Sequence, residues 1–130
     1  MTKMTDLIHN TKTVVAIEAK NVENAGDTEG KIIDTEGFYA VLFQTLAGGA
    51  GGITALAVEQ SDDDGMAEAE AVPATNIIGT GLAQADNADA INVVPTKRYV
   101  RIKATTAEQN VVVGAVATLF GADIAGKINL

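Results

Sequence analysis

Three short stretches of this chain carry residue types that could do chemistry at close spacing. Asp62-Asp63-Asp64-Gly65 sets three carboxylates on one turn, the hard oxygen donors that Ca2+ prefers. The spacing stops short of a calcium loop, because a loop begun at Asp62 has Met66 at its fifth position and Pro73 at its twelfth, where carboxylates belong. The run therefore reads as a solvated hairpin turn, with Gly65 available for positive φ. Asp86-Asn87-Ala88-Asp89 is a weaker version of the same idea. Gly48-Gly49-Ala50-Gly51-Gly52 invites comparison with a phosphate cradle, but Ile53-Thr54 follows it where Lys-Ser/Thr is required. A mobile hairpin tip is the reading that remains. Ser61 is the only serine and His9 the only histidine, far apart in sequence, which is weak support for a nucleophilic triad. With no cysteine and one histidine, a zinc site has no ligand set. No acid/base carboxylate pattern emerges. The expectation is a protein that is not an enzyme and that has no catalytic residue, metal or cofactor.

The remaining cluster suits binding. Lys97-Arg98-Tyr99-Val100-Arg101-Ile102-Lys103-Ala104 alternates so that Val100, Ile102 and Ala104 share one face and Lys97, Tyr99, Arg101 and Lys103 the other, with Arg98 off the pattern. A period of two marks a half-buried strand. Lys97, Arg98, Arg101 and Lys103 are four of the nine basic residues in a chain of formal charge −8. Lys97, Arg98, Tyr99, Arg101 and Lys103 are thus the candidate subunit-contact residues. They form either a solvated strand face or a patch that meets an acidic surface, on an identical subunit or on another protein. The net acidity argues against nucleic acid as a partner.

These residues need a scaffold. At 130 residues and 47% hydrophobic, the chain is long enough for one domain with a real core, built of Val, Ile, Leu and Ala because aromatics are only 4%. No apolar run approaches the roughly 20 residues of a membrane span, so no membrane partner is expected. Met1 to Asn10 lacks the apolar centre of a signal peptide, which implies assembly in the cytoplasm.

Strand-like runs recur between turn signals: 13–19, 31–34, 38–45, 53–60, 67–71, 76–79, 91–94, 97–104 and 111–120. Residues 21–30 and 84–89 read as polar loops. Phe38 to Thr45 is apolar on both faces, as in a central strand covered on both sides or one whose outer face meets a neighbour. No long helix is credible and no internal repeat stands out. The fold class is all-β, an antiparallel β-sandwich or jelly-roll-like barrel over 13–121, with arms at 1–12 and 122–130.

Gly37-Phe38-Tyr39-Ala40-Val41-Leu42-Phe43, then Glu59-Gln60-Ser61-Asp62-Asp63-Asp64-Gly65, then Lys97-Arg98-Tyr99-Val100-Arg101-Ile102, Val112 to Ala117 and Phe120-Gly121 follow in a telling order. Over roughly residues 31–121 this order resembles small structural proteins of tailed bacteriophages and prophages. Gln/Glu-Ser-Asp-Asp-Gly and Lys-Arg-Tyr-Val-Arg recur at these relative places in that group. The resemblance implies a β-sandwich capsid decoration (cement) protein, a virion structural protein on the outer capsid surface. Its partners would be the phage major capsid protein and itself, as a homo-oligomer. A trimer suits quasi-threefold sites, and arms that order on assembly can wrap neighbours. Tail-tube, tail-terminator and head-tail joining subunits belong to the same class. A carbohydrate-binding sandwich using Tyr39 and Tyr99 is the alternative from another class.

Overall fold

A computed structural model of the protein describes residues 10–121, which form ten β-strands and a short 3-10 helix at Ala74–Asn76. The strands are β1 (Lys12–Val22), β2 (Gly26–Glu29), β3 (Ile33–Asp34), β4 (Ala40–Gly49) and β5 (Ile53–Ser61), then β6 (Glu70–Ala71), β7 (Ile77–Gly79), β8 (Asn87–Val93), β9 (Tyr99–Thr106) and β10 (Val111–Phe120). They make two antiparallel sheets, the first in the order β1-β10-β4-β8-β7 and the second in the order β2-β9-β5-β6, with β3 also on β9. The protein is a β-sandwich, as its strand spacing implied. The expected arms lie almost wholly outside the described residues, apart from Asn10, Thr11 and Lys12.

The core follows from alternation. Val41 and Phe43 of β4 and Val113, Ala117 and Leu119 of β10 project from the first sheet and are buried. Val100, Ile102 and Ala104 of β9, all 0% exposed, meet them from the second. Small branched and Ala side chains fill the narrow space between sheets that a sandwich leaves. A strap at Gly30-Lys31 ties the layers at one edge: the Gly30 amide donates to Ile102 O (2.8 Å) and the Lys31 amide to Ala16 O (2.8 Å). Gly30 is required there, because a Cβ would lie 2.6 Å from Ala16 O and 2.7 Å from Ile102 O.

Four expectations are corrected. Gly48 and Gly49 are not part of a hairpin tip: they finish β4, opposite Val112 and Val111 of β10. Residues 50–52 carry the chain from the first sheet into the second, since β4 and β5 never pair. Residues 26–29 are a strand within the expected loop; only Thr28 is buried there, so the alternation carries no hydrophobic signal. Residues 87–89 likewise belong to β8, paired with β4 from Ala47 to Thr45. The expected strand 67–71 shrinks to Glu70–Ala71, because Met66 (φ 62°) and Glu68 (φ 53°) are left-handed, positions the sequence reading had given to Gly65.

Candidate subunit-contact face

β9 runs between β2 and β3 on one side and β5 on the other, so its outward residues Tyr99, Arg101 and Lys103 line the middle of the second sheet's outer face. Lys97 and Arg98 precede the strand. All five candidate residues are therefore brought together, but the cations do not stand alone.

Arg98 forks onto Asp34 of β3, donating from Nε to Oδ1 (2.9 Å) and from Nη2 to Oδ2 (2.8 Å), and it also pairs with Glu36. Its guanidinium lies 5.1 Å from the centroid of the Tyr99 ring, within cation–π range. The hydrogen bonds from Arg98 hold the Asp34 carboxyl at about 2, well below the usual carboxylate range, and raise Arg98 in turn. Arg101 reaches Glu29 of β2 with Nη1 (3.0 Å) and Glu59 of β5 with Nη2 (3.1 Å). Its side chain is 17% exposed, and its buried Nε has no hydrogen-bond partner. Lys97 pairs with Glu70 of β6 (2.9 Å), an interaction that lowers the glutamate and raises the lysine. Lys103 stands 3.9 Å from Asp27, which also accepts from Thr105 Oγ1 (2.6 Å).

The face is thus a ladder in which four cations meet six carboxylates: Asp27, Glu29, Asp34, Glu36, Glu59 and Glu70. Because the carboxylates outnumber the cations, an acidic partner would have to displace an existing one. Sequence reading missed the acidic half of the ladder. Its traces were Asp27 and Glu29 at a spacing of two and Glu59 beside buried Val58 and Gln60, but pairing them with β9 requires the strand register.

The Gln60-Ser61-Asp62-Asp63 motif works beside this ladder as a staple. Gln60 is fully buried; its Nε2 donates to Thr96 Oγ1 (2.8 Å) and Glu70 Oε2 (3.3 Å), and its Oε1 accepts from the Thr96 amide (2.9 Å). Ser61 donates to Ala67 O (2.6 Å) and accepts from the Asp63 amide (3.0 Å). The Asp63 carboxylate accepts from the amides of Gly65 (2.9 Å) and Ala67 (3.1 Å). Ser61 and Asp63 thus spend their oxygens on the turn's own backbone. Among the described residues, no group of three His, Cys, Asp or Glu side chains is placed to hold a metal ion. His9 lies outside the described residues. Tyr39 leads into β4 of the first sheet, and Tyr99 lies on β9 of the second.

No family model and no curated protein matches this sequence. The fold does match solved structures of prophage proteins. SPBc2 prophage-derived protein YomS superposes with a TM-score of 0.52 at 12% identity, over 84% of this chain and 93% of its own. PBSX exported protein XepA superposes with a TM-score of 0.60 at 14% identity, over 100% of this chain and 42% of its own. The chain therefore spans less than half the length of XepA, and at these identities the likeness is one of fold.

Proposed function

We propose that this protein is a phage or prophage structural component that decorates the outer surface of a tailed-phage head, stabilising it through subunit contacts with the major capsid protein. The observation that carries this reading is the two-sheet sandwich shared with two prophage-derived proteins, along nearly the whole of one of them. The sequence order of the aromatic strand, the Gln-Ser-Asp-Asp turn and the Lys-Arg-Tyr-Val-Arg strand points the same way. A decorating protein needs no active site. It needs a rigid body and surfaces that resist the opening of a shell under internal pressure, and many weak contacts on a lattice add by avidity.

In this reading, Arg98 with Tyr99 is the part of the ladder that a partner reaches first, since Arg98 is 45% exposed while Arg101 is 17% exposed and clamped on both sides. The test is to prepare heads with and without the protein and heat them, following DNA release. Decorated heads should retain DNA to higher temperature, and image reconstruction should place the protein on the icosahedral lattice. Equal release temperatures, or density confined to the tail axis, would reject the decorating role in favour of none or of a tail or joining role. A second reading, a phage-encoded protein released from the cell, draws on the likeness to the exported protein XepA. Its mark would be protein in the culture medium and none in purified particles.

A further inference from the structure

The outer face of the first sheet is the opposite of the ladder. Among the described residues seven large hydrophobics are exposed, and five lie on it: Val15 of β1, Leu46 of β4, Ile78 of β7, and Val112 and Val116 of β10. Register places them in neighbouring rows. Val15, Val116, Gln44 and Ala90 are mutual partners across four strands, and Gly114, Leu46 and Ala88 follow one row on. Along β10, β4 and β8, none of the residues that alternate with the buried ones is charged. Gly114 has no side chain to cover Ala19 beside it, and this leaves a shallow groove of about 390 Å³ framed by Val15, Leu46 and Val116. In a chain with 17 Asp and Glu against nine Lys and Arg, an outer sheet face without charge along three strands stands out.

We propose that this face is the contact between two copies of the chain, packed sheet to sheet. Charge selects the occupant. Two copies at −8 each repel, and the bare face of the first sheet is a surface through which they can meet without opposing carboxylates at the centre. The composition fits too, since contact centres are depleted in charge and keep charge at the rim. Size is sufficient. β1, β10, β4 and β8 at about 4.8 Å spacing, overlapping for about seven residues at about 3.4 Å each, with the three residues of β7 beside them, give a footprint of roughly 500 Å² per copy. A pair would then bury about 1,000 Å², the size at which specific interfaces begin. The exposed Leu46 beside the Gly114 groove supplies a projection and a recess on the same surface, as a two-fold contact requires. The inference does not depend on the phage role, because self-association is read on the purified protein with no capsid present.

The full-length chain is followed by sedimentation velocity from about 1 to 300 μM, at low and at high salt. The expected result is a concentration-dependent dimer that salt strengthens or leaves alone, since screening relieves like-charge repulsion and an apolar contact has no ion pairs to lose. Leu46→Glu and Val116→Glu should each raise the dissociation constant at least tenfold with an unchanged circular dichroism spectrum, because both side chains are exposed. Asn24→Glu, the same added charge in an exposed loop, should change it less than threefold. Because the chain has no cysteine, Val116→Cys supplies a single thiol whose alkylation should slow as concentration rises. A chain that stays monomeric overturns the proposal. If its thiol is nevertheless protected at every dilution, another part of the same chain covers the face. An oligomer indifferent to both glutamates, or dissolved by salt, places the contact elsewhere and also overturns it.

Discussion

Reversing Arg101 separates a folding role of the basic strand from a contact role. The guanidinium lies between Glu29 and Glu59, with 3.0 and 3.1 Å contacts, and is 17% exposed. Arg101→Glu removes two ion pairs, each contributing up to about 1 kcal/mol at a partly exposed site. It also brings a third carboxylate toward two others. At about 4 Å each such approach costs about 1 kcal/mol in water and about 4 kcal/mol at the lower effective dielectric near a protein surface. Rearrangement of exposed Glu29 keeps the total to about 3–5 kcal/mol. For a chain of this size that is a fall in melting temperature of roughly 10–20 °C. Arg101→Met keeps the aliphatic stem and removes the orphaned Nε, so it should cost only about 1 kcal/mol, or roughly 3–5 °C. Pairing Arg101→Glu with Glu59→Arg restores opposite charges across β9 and β5 and should recover at least half the loss. Thermal denaturation of the three variants beside the wild type decides the matter. If Arg101→Glu melts with the wild type, the Glu29–Arg101–Glu59 rung contributes nothing to folding and Arg101 is a free surface cation. Reversal of Arg101 is therefore not a clean probe of assembly, and reversal of Arg98, which meets Asp34 and Glu36, needs the same stability control.

Two further outcomes follow from the same network. Gln60→Ala leaves the Thr96 amide without its acceptor and opens a cavity at a fully buried site, and should cost about 2–4 kcal/mol in urea denaturation; a loss below about 1 kcal/mol would mean that the 95–98 segment is held by other means. Stability should also fall in acid: Asp34, Glu70 and Glu18 are depressed in the folded state, so the unfolded chain binds protons first as pH drops. Their contribution is present above the ordinary carboxylate range near pH 4–4.5 and is lost progressively toward pH 2, where Asp34 protonates. Asp34→Asn should flatten the dependence of melting temperature on pH between these limits, and about 0.5 M salt should damp it, since the Asp34 side chain is 44% exposed. An unchanged slope would show that Arg98 does not hold Asp34 in solution.

The strands that sequence made legible are those with a hydrophobic alternation of their own. β9 declares itself through Val100, Ile102 and Ala104, β10 through Val111, Val113, Ala117 and Leu119, and β4 through its aromatic-apolar run. β2 was hidden because its one buried residue is Thr28, so the period of two is carried by polar side chains. The glycine run misled because glycine permits a tip but does not demand one. Register with β10 keeps Gly48 and Gly49 in the sheet, and the close approach of Gly49 to Asn110 O (2.6 Å for an added Cβ) explains why a side chain is absent. The basic half of the candidate face could be read because it is contiguous. Its acidic half comes from residues 42 to 72 positions away along the chain, at Glu59 and Glu29, and only register joins them to Arg101.

The concentration of positive charge on one strand has an intramolecular cause. β9 is the strand onto which β2, β3 and β5 all pair, and with β6 these neighbours bring Asp27, Glu29, Asp34, Glu59 and Glu70. Without cations at the centre, this sheet would set carboxylates against one another across adjacent strands, which is destabilising at cross-strand spacing. The basic strand allows an acidic sheet to close. The first sheet meets no such demand, because its outward residues on β10, β4 and β8 are uncharged, and it faces the opposite problem of apolar surface left in water. One face pairs its charges within the chain and the other leaves apolar side chains exposed. Arg98 and Lys97 at the ladder's edge suit contacts of orientation and specificity, while the Leu46–Val116 face suits contacts of affinity. In the proposed decorating role, contact with like copies and contact with a shell call for different surfaces, and the sandwich keeps the two on opposite sides.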